Sequence, residues 1–166
     1  MTYISFEESQ KFRQSWVWML LVGVTVLSVA VSFVLTWKEM KLTDAVVLIS
    51  IPCLVVLLFY WFNLKTRIDK DGIYYQFFPF HWKERAILWS DVETAEVIKY
   101  SPLADFGGWG IKYGRKGKAY NVSGNMGFYL TLKNNKKILF GTQKPEELRE
   151  VVRMIFDRTR PRDLLL

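Results

Sequence analysis

Two long stretches of the chain carry no charge, and the rest alternates on a short period. No charged residue occurs from Ser15 to Trp37, and none from Ala45 to Leu64. A helical residue rises about 1.5 Å, so either stretch is long enough for the roughly 30 Å core of a bilayer. The pattern therefore predicts a polar leading segment over 1–14, membrane helices over 15–37 and 45–64, and a short outer loop over 38–44. Trp16, Trp18 and Trp37 border the first helix, and Tyr60 and Trp61 close the second. Amphipathic rings of this kind favour headgroup depth, so all five are candidate interface anchors. Pro52 lies inside the second stretch, where a membrane helix tolerates it. A loop of this length turns the helices antiparallel and returns the chain to the side it left.

A cleaved leader is the competing reading of the first stretch. Ser28 and Ala30 are small residues placed like a cleavage site. However, Glu7 and Glu8 stand where a leader has basic residues, and the apolar run continues through Leu35. Both features favour a retained helix.

Beyond residue 64 the period drops to two, with turn residues at short intervals. Strands are expected over Leu64–Ile68, Ile73–Phe77, Arg85–Leu88, Val92–Tyr100, Trp109–Tyr113, Lys118–Val122, Phe128–Leu132 and Lys137–Phe140. Asp71-Gly72 and Asn134-Asn135 are turn signals, because both tolerate left-handed backbone angles. A helix follows from Pro145, with Glu146 and Glu147 in its first turn and Leu148, Val151, Val152, Ile155 and Phe156 on one face. The expected fold is thus an α+β membrane protein: a two-helix transmembrane hairpin, an antiparallel β-sandwich or barrel closed by a helix over 65–158, and a tail over 159–166.

That arrangement resembles the pleckstrin-homology-like (PH-like) fold, and in particular small bacterial membrane proteins with a helical hairpin followed by a PH-like domain. The residues carrying the resemblance are Ile87-Leu88-Trp89-Ser90-Asp91-Val92 and the closing run from Ile138 to Leu148. The resemblance implies a bacterial inner-membrane location and a binding role. Phosphoinositide-binding relatives use basic residues around the first hairpin. Lys65 and Arg67 fit that pattern, whereas the turn Asp69-Lys70-Asp71 departs from it.

Charge adds an orientation. The net charge is +7. Residues 1–64 hold four basic and four acidic side chains, so the whole excess belongs to residues 65–166. Lys11, Arg13, Lys65, Arg67 and Lys70 flank the helices on the terminal side, against Lys38 and Lys41 in the loop. This bias puts both termini in the cytoplasm.

Candidate chemistry is sparse. One cysteine, Cys53, and one histidine, His81, make neither a zinc set nor a nucleophilic triad. No metal, cofactor or catalytic residue is expected, and the chain reads as a non-enzyme. Gly107-Gly108-Trp109-Gly110 lacks the spacing of a phosphate loop. Gly114-Arg115-Lys116-Gly117 lies between strands and not between helices, which argues against a nucleic-acid clamp. Lys112, Arg115, Lys116 and Lys118 are instead candidate contacts for an anion or an anionic lipid headgroup. Phe78, Phe80 and Trp82 are candidate membrane-interface contacts. The expected function is a membrane-anchored basic module that binds a protein partner, anionic headgroups or copies of itself. The alternative is an accessory subunit of a larger membrane enzyme or transporter.

Overall fold

Nine strands and four α-helices make up residues 5–36 and 41–159, which the computed structural model describes. In chain order they are β1 (Phe6–Lys11), α1 (Ser15–Thr36), α2 (Leu42–Trp61), β2 (Asn63–Ile68), β3 (Gly72–Phe78), β4 (Arg85–Leu88), β5 (Val92–Lys99), α3 (Pro102–Phe106), β6 (Gly110–Gly114), β7 (Gly117–Asn121), β8 (Met126–Leu132), β9 (Lys137–Thr142) and α4 (Pro145–Thr159). They fall into two compact units. One joins the residues up to Gln10 with those from Asn63 onward; the other is Lys11–Phe62.

The first unit holds a four-stranded sheet in the order β1-β2-β3-β4 and a five-stranded sheet in the order β5-β8-β9-β7-β6. Inward positions along β2 and β3 are apolar except Thr66, with Leu64 facing Phe77 and Ile68 facing Ile73. Asp69 closes their turn, its carboxylate accepting from the backbone N–H groups of Asp71 and Gly72. In α4 the side chains of Leu148, Val151, Val152 and Ile155 are buried, and the helix packs on β5. Trp89 meets Phe156 edge-on at 5.1 Å.

The second sheet corrects one expectation. It is mixed, because β7 runs parallel to β9, with Lys118 beside Ile138 and Tyr120 beside Phe140. The chain leaves β7 and enters β8 through residues 122–125, and β9 later fills the slot between them. Four extended residues reach about 13 Å, enough to skip one strand position at about 4.8 Å spacing.

Residues 1–14 are not simply a leading segment, and the β-domain is not confined to 65–158. Phe6, Glu8 and Gln10 of β1 point inward and are all buried. Two of the three are polar, so hydrophobic alternation does not reveal the strand. The Glu8 carboxylate and Gln10 Nε2 are met from the far end of the chain, while Gln10 Oε1 is buried without a hydrogen-bond partner. The Glu8 carboxylate accepts from Thr142 Oγ1 at 2.7 Å and from the Gln143 N–H at 2.8 Å. Gln10 Nε2 donates to the Gly141 carbonyl at 2.6 Å.

The second unit holds α1 and α2, which contact each other. Phe12, ahead of α1, lies 5.5 Å from Phe59 near the end of α2 and 5.8 Å from Phe62 just beyond it. Segment Ser15–Val34 is long and apolar enough to cross a membrane, with 6% of its most apolar window buried. The apolar segment of α2, Val46–Trp61, is shorter. The expected boundaries 45–64 shift at both ends. Asp44 enters the first turn of α2, where its carboxylate accepts from the Lys41 N–H at 3.3 Å and complements the helix dipole. Leu64 belongs to β2, where it is apolar because it faces the sheet interior.

Candidate functional site

The end of the first sheet that exchanges chain with the helices carries an uncovered aromatic turn. Phe78, the last residue of β3, pairs with Asn63, and Asn63 Oδ1 accepts from Ser9 Oγ of β1 at 2.9 Å. The turn after Phe78 is pinned by the His81 N–H donating to the Phe77 carbonyl at 2.8 Å. Gln76 Nε2 also donates to the carbonyls of His81 and Trp82, each at 3.1 Å. Trp82 is 81% exposed and Phe80 59%, while Phe78 is half-buried and edge-on to Trp82. Of the five interface anchors, Trp16, Tyr60 and Trp61 are exposed along α1 and α2. Trp18 is half-buried and donates its indole N–H to the Phe12 carbonyl at 2.8 Å. Trp37 lies outside the described residues, as do residues 38–40 of the loop and 160–166 of the tail.

The four basic candidates of the β6–β7 hairpin do not converge. Register pairs Tyr113 with Lys118 and Lys112 with Ala119, so Lys112 and Lys118 stand on opposite faces. Lys116 at the tip is held by Asp105 at 3.1 Å, and Arg115 is exposed beside it. Arg67, the other basic candidate, is already engaged by Asp69 and Glu84 and lies 4.0 Å from the Tyr74 ring centroid.

Lys118 instead joins a corner between the two sheets. Its Nζ lies 4.8 Å from the ring centroid of Tyr120 and 5.0 Å from that of Tyr113. Tyr120 stacks on Phe140 and lies 5.0 Å from Tyr75 of β3. Tyr75 pairs directly with Arg85 of β4. His81 closes the corner, 5.7 Å from Tyr75 and 5.5 Å from Tyr120. Tyr75, His81 and Tyr120 are buried, Lys118 is half-buried and Arg85 is exposed, so the corner opens to solvent at its cationic rim. Sequence reasoning misses Tyr75, Arg85 and Tyr120. Register pairs Tyr75 with Arg85, and packing of one sheet on the other brings Tyr75 to Tyr120; the sequence signal is the shared face of Lys118 and Tyr120.

Protonation in this corner follows from burial and like charge. His81 Nδ1 accepts the Phe77 N–H at 3.3 Å, so the neutral ring carries its proton on Nε2 and offers it as a donor. Burial lowers the His81 pKa, and Arg85 and Lys118 lower it further. Burial, with the neighbouring Tyr120, pushes Tyr75 up to about 12, so it stays a phenol at neutral pH. The corner therefore presents donors and cations, with no group poised as a base at neutral pH other than an imidazole whose Nδ1 is occupied.

A pH effect on stability follows. The unfolded chain takes up a proton at His81 near the ordinary value of about 6.5, while the folded protein resists it to lower pH. Stability at this site is thus fully present above about 6.5 and is lost as pH falls toward the depressed folded value. Thermal unfolding of the wild type is expected to weaken across that window. His81→Asn, whose Oδ1 replaces the Nδ1 acceptor, should flatten the loss. An unchanged acid limb in the variant would show that His81 does not drive it.

A groove of about 450 Å³ between α1 and α2 is lined by Ser28, Asp44, Val47, Leu48, Ile51 and Pro52. Its polar atoms are satisfied locally, Ser28 by the Val24 carbonyl and Asp44 by Lys41. Among the described residues no group of histidine, cysteine and carboxylate side chains is placed to hold a metal ion. No model of a known protein family matches the chain, and no curated protein matches it in sequence.

Proposed function

We propose that this chain is an integral membrane protein whose two apolar helices cross the bilayer as a hairpin and hold a basic, PH-like β-domain on the cytoplasmic face as a binding module. One observation carries the reading: the helices are inserted between β1 and β2, which are neighbours in one sheet. Two paired strands lie on one side of a membrane, so the chain between them crosses an even number of times. If α1 spans, α2 spans with it; its shorter apolar segment ends in the interfacial Tyr60 and Trp61, and local thinning of the bilayer accommodates it. The packing of Phe12 against Phe59 and Phe62 supports the same antiparallel return.

The inserted position also opposes a cleaved leader. Cleavage after α1 would remove β1 and leave Thr142 Oγ1 and the Gln143 N–H without the Glu8 carboxylate. The PH-like reading is supported by two successive sheets closed by α4; the strand supplied from ahead of the helices and the parallel β7–β9 pair depart from a simple antiparallel sandwich. The exposed Phe80 and Trp82, at the sheet end that exchanges chain with the helices, suit headgroup depth. The binding role rests on the uncompensated basic charge of the domain and on a corner furnished with donors.

Peptide mapping of the protein purified from membranes tests this reading. Residues 5–11 and 63–159 should be recovered in one uncleaved chain that resists alkaline carbonate extraction. Recovery of a mature chain beginning after α1, or release by carbonate, would overturn it.

A further inference from the structure

We infer that the corner formed by Tyr75, His81, Arg85, Lys118 and Tyr120 is a binding site for a phosphate-class oxyanion, a phosphate monoester group above all. The inference rests on the reading of the domain as a binding module and gives that module a ligand class and a location. It does not depend on which side of a membrane the domain occupies.

Charge balance is the first ground. Arg67, Lys116, Lys144 and Arg149 each reach a carboxylate. Arg85 and Lys118 reach none among the described residues. They come from different sheets, Arg85 on β4 and Lys118 on β7. Both stand close enough to His81 to repel its proton. Glu84, next to Arg85 in sequence, is turned to Arg67. Two cations thus bear on one buried imidazole with no acid beside them, and an anion at that imidazole would offset their charge.

Donor geometry is the second ground. Arg85 supplies a guanidinium fork, Lys118 an ammonium and His81 an Nε2–H, while the buried Tyr75 and Tyr120 side chains hydrogen-bond each other. These donors come from three separate pieces of chain, β4, the 79–84 turn and β7. A tetrahedral oxyanion accepts from several directions, whereas a carboxylate accepts in one plane. The buried rings of Tyr75, Tyr120 and Phe140 make a floor of low polarity, where charge-assisted hydrogen bonds are stronger than in water.

The same chemistry is offered by a free phosphate compound and by a phosphomonoester lipid headgroup, and the test separates them. His81 is the chain's one histidine, so its imidazole gives one isolated NMR signal. The full chain is placed in phosphatidylcholine nanodiscs and titrated with inorganic phosphate, and in parallel placed in nanodiscs that also contain phosphatidic acid. A saturable shift of the His81 signal with phosphate assigns the site to soluble oxyanions. A shift only with phosphatidic acid assigns it to the headgroup. Arg85→Met and Lys118→Met should each weaken the effect by roughly tenfold or more, the loss of one charge-assisted contact. Lys118→Arg should restore much of it, and Arg115→Ala at the exposed tip should leave it unchanged. No shift in either arm overturns the inference while leaving the membrane reading standing, since insertion is read separately by peptide mapping. Equal weakening by Arg115→Ala also overturns it, because the response would then be general charge and not this corner. The wild-type signal is decisive even if a methionine variant fails to fold.

Discussion

Replacing Phe6 by alanine is expected to destabilise the β-domain by about 3–5 kcal/mol, the usual cost of emptying a buried phenylalanine site. Phe6 is 1% exposed, yet it lies ahead of both apolar helices, and the rest of the domain begins only at Asn63. A residue in a mere leading segment would lose well under 1 kcal/mol, as surface substitutions do. Domains of this size are stable by only about 5–15 kcal/mol, so the variant should show a clearly lowered denaturation midpoint in detergent. Glu8→Ala should act in the same direction by a different route, since it strands the Thr142 hydroxyl and the Gln143 N–H. A wild-type midpoint for Phe6→Ala would remove β1 from the sheet, and with it the topological argument.

Gly117→Ala should be about as severe, at about 2–5 kcal/mol, combining backbone strain with overpacking. Gly117 has φ +101°, and a Cβ there would stand 2.3 Å from the Lys137 carbonyl oxygen. That oxygen belongs to the backbone of β9, so relief requires β7 and β9 to separate. Gly124→Ala is the matched control. Its φ of +75° imposes strain, but nothing lies within 4 Å of the added carbon. It should cost only about 1–2 kcal/mol. Equal midpoints for the two variants would show that the close approach of β7 to β9 is not a constraint. Because Gly117 immediately precedes Lys118, its variant should also lose the anion response of the corner.

Which parts of this molecule are legible in the sequence depends on where their partners lie. The eight strands after the helices are visible because their inward positions are apolar and their turns carry Gly, Asp or Asn. Asn135, for instance, takes φ 62° in the turn before β9. β1 is hidden because Glu8 and Gln10 fill inward positions, where the Glu8 carboxylate and Gln10 Nε2 bond to residues more than 130 positions away. α3 carries a local signal: Ser101 caps it by accepting from the Ala104 N–H, with Pro102 at its first position. The basic hairpin was legible as a charge cluster. Strand register sends Lys112 and Lys118 to opposite faces, and packing between the two sheets gives Lys118 and Tyr120 their companions from β3 and the turn after it. Contacts of that kind follow from packing of one sheet on the other, which no local spacing encodes.

The proposed topology puts β1 and the rest of the β-domain on one side of the membrane and the α1–α2 connection on the other. Impermeant-maleimide labelling of intact cells tests it directly, in a Cys53→Ala background that removes the one native thiol. Single cysteines are placed at three exposed positions: Glu7 on β1, Arg115 at the β6–β7 tip and Thr43 at the start of α2. Thr43→Cys should label in intact cells, and Glu7→Cys and Arg115→Cys only after the membrane is opened. Labelling of Glu7→Cys and Arg115→Cys from opposite sides, or of all three from the same side, would contradict the account.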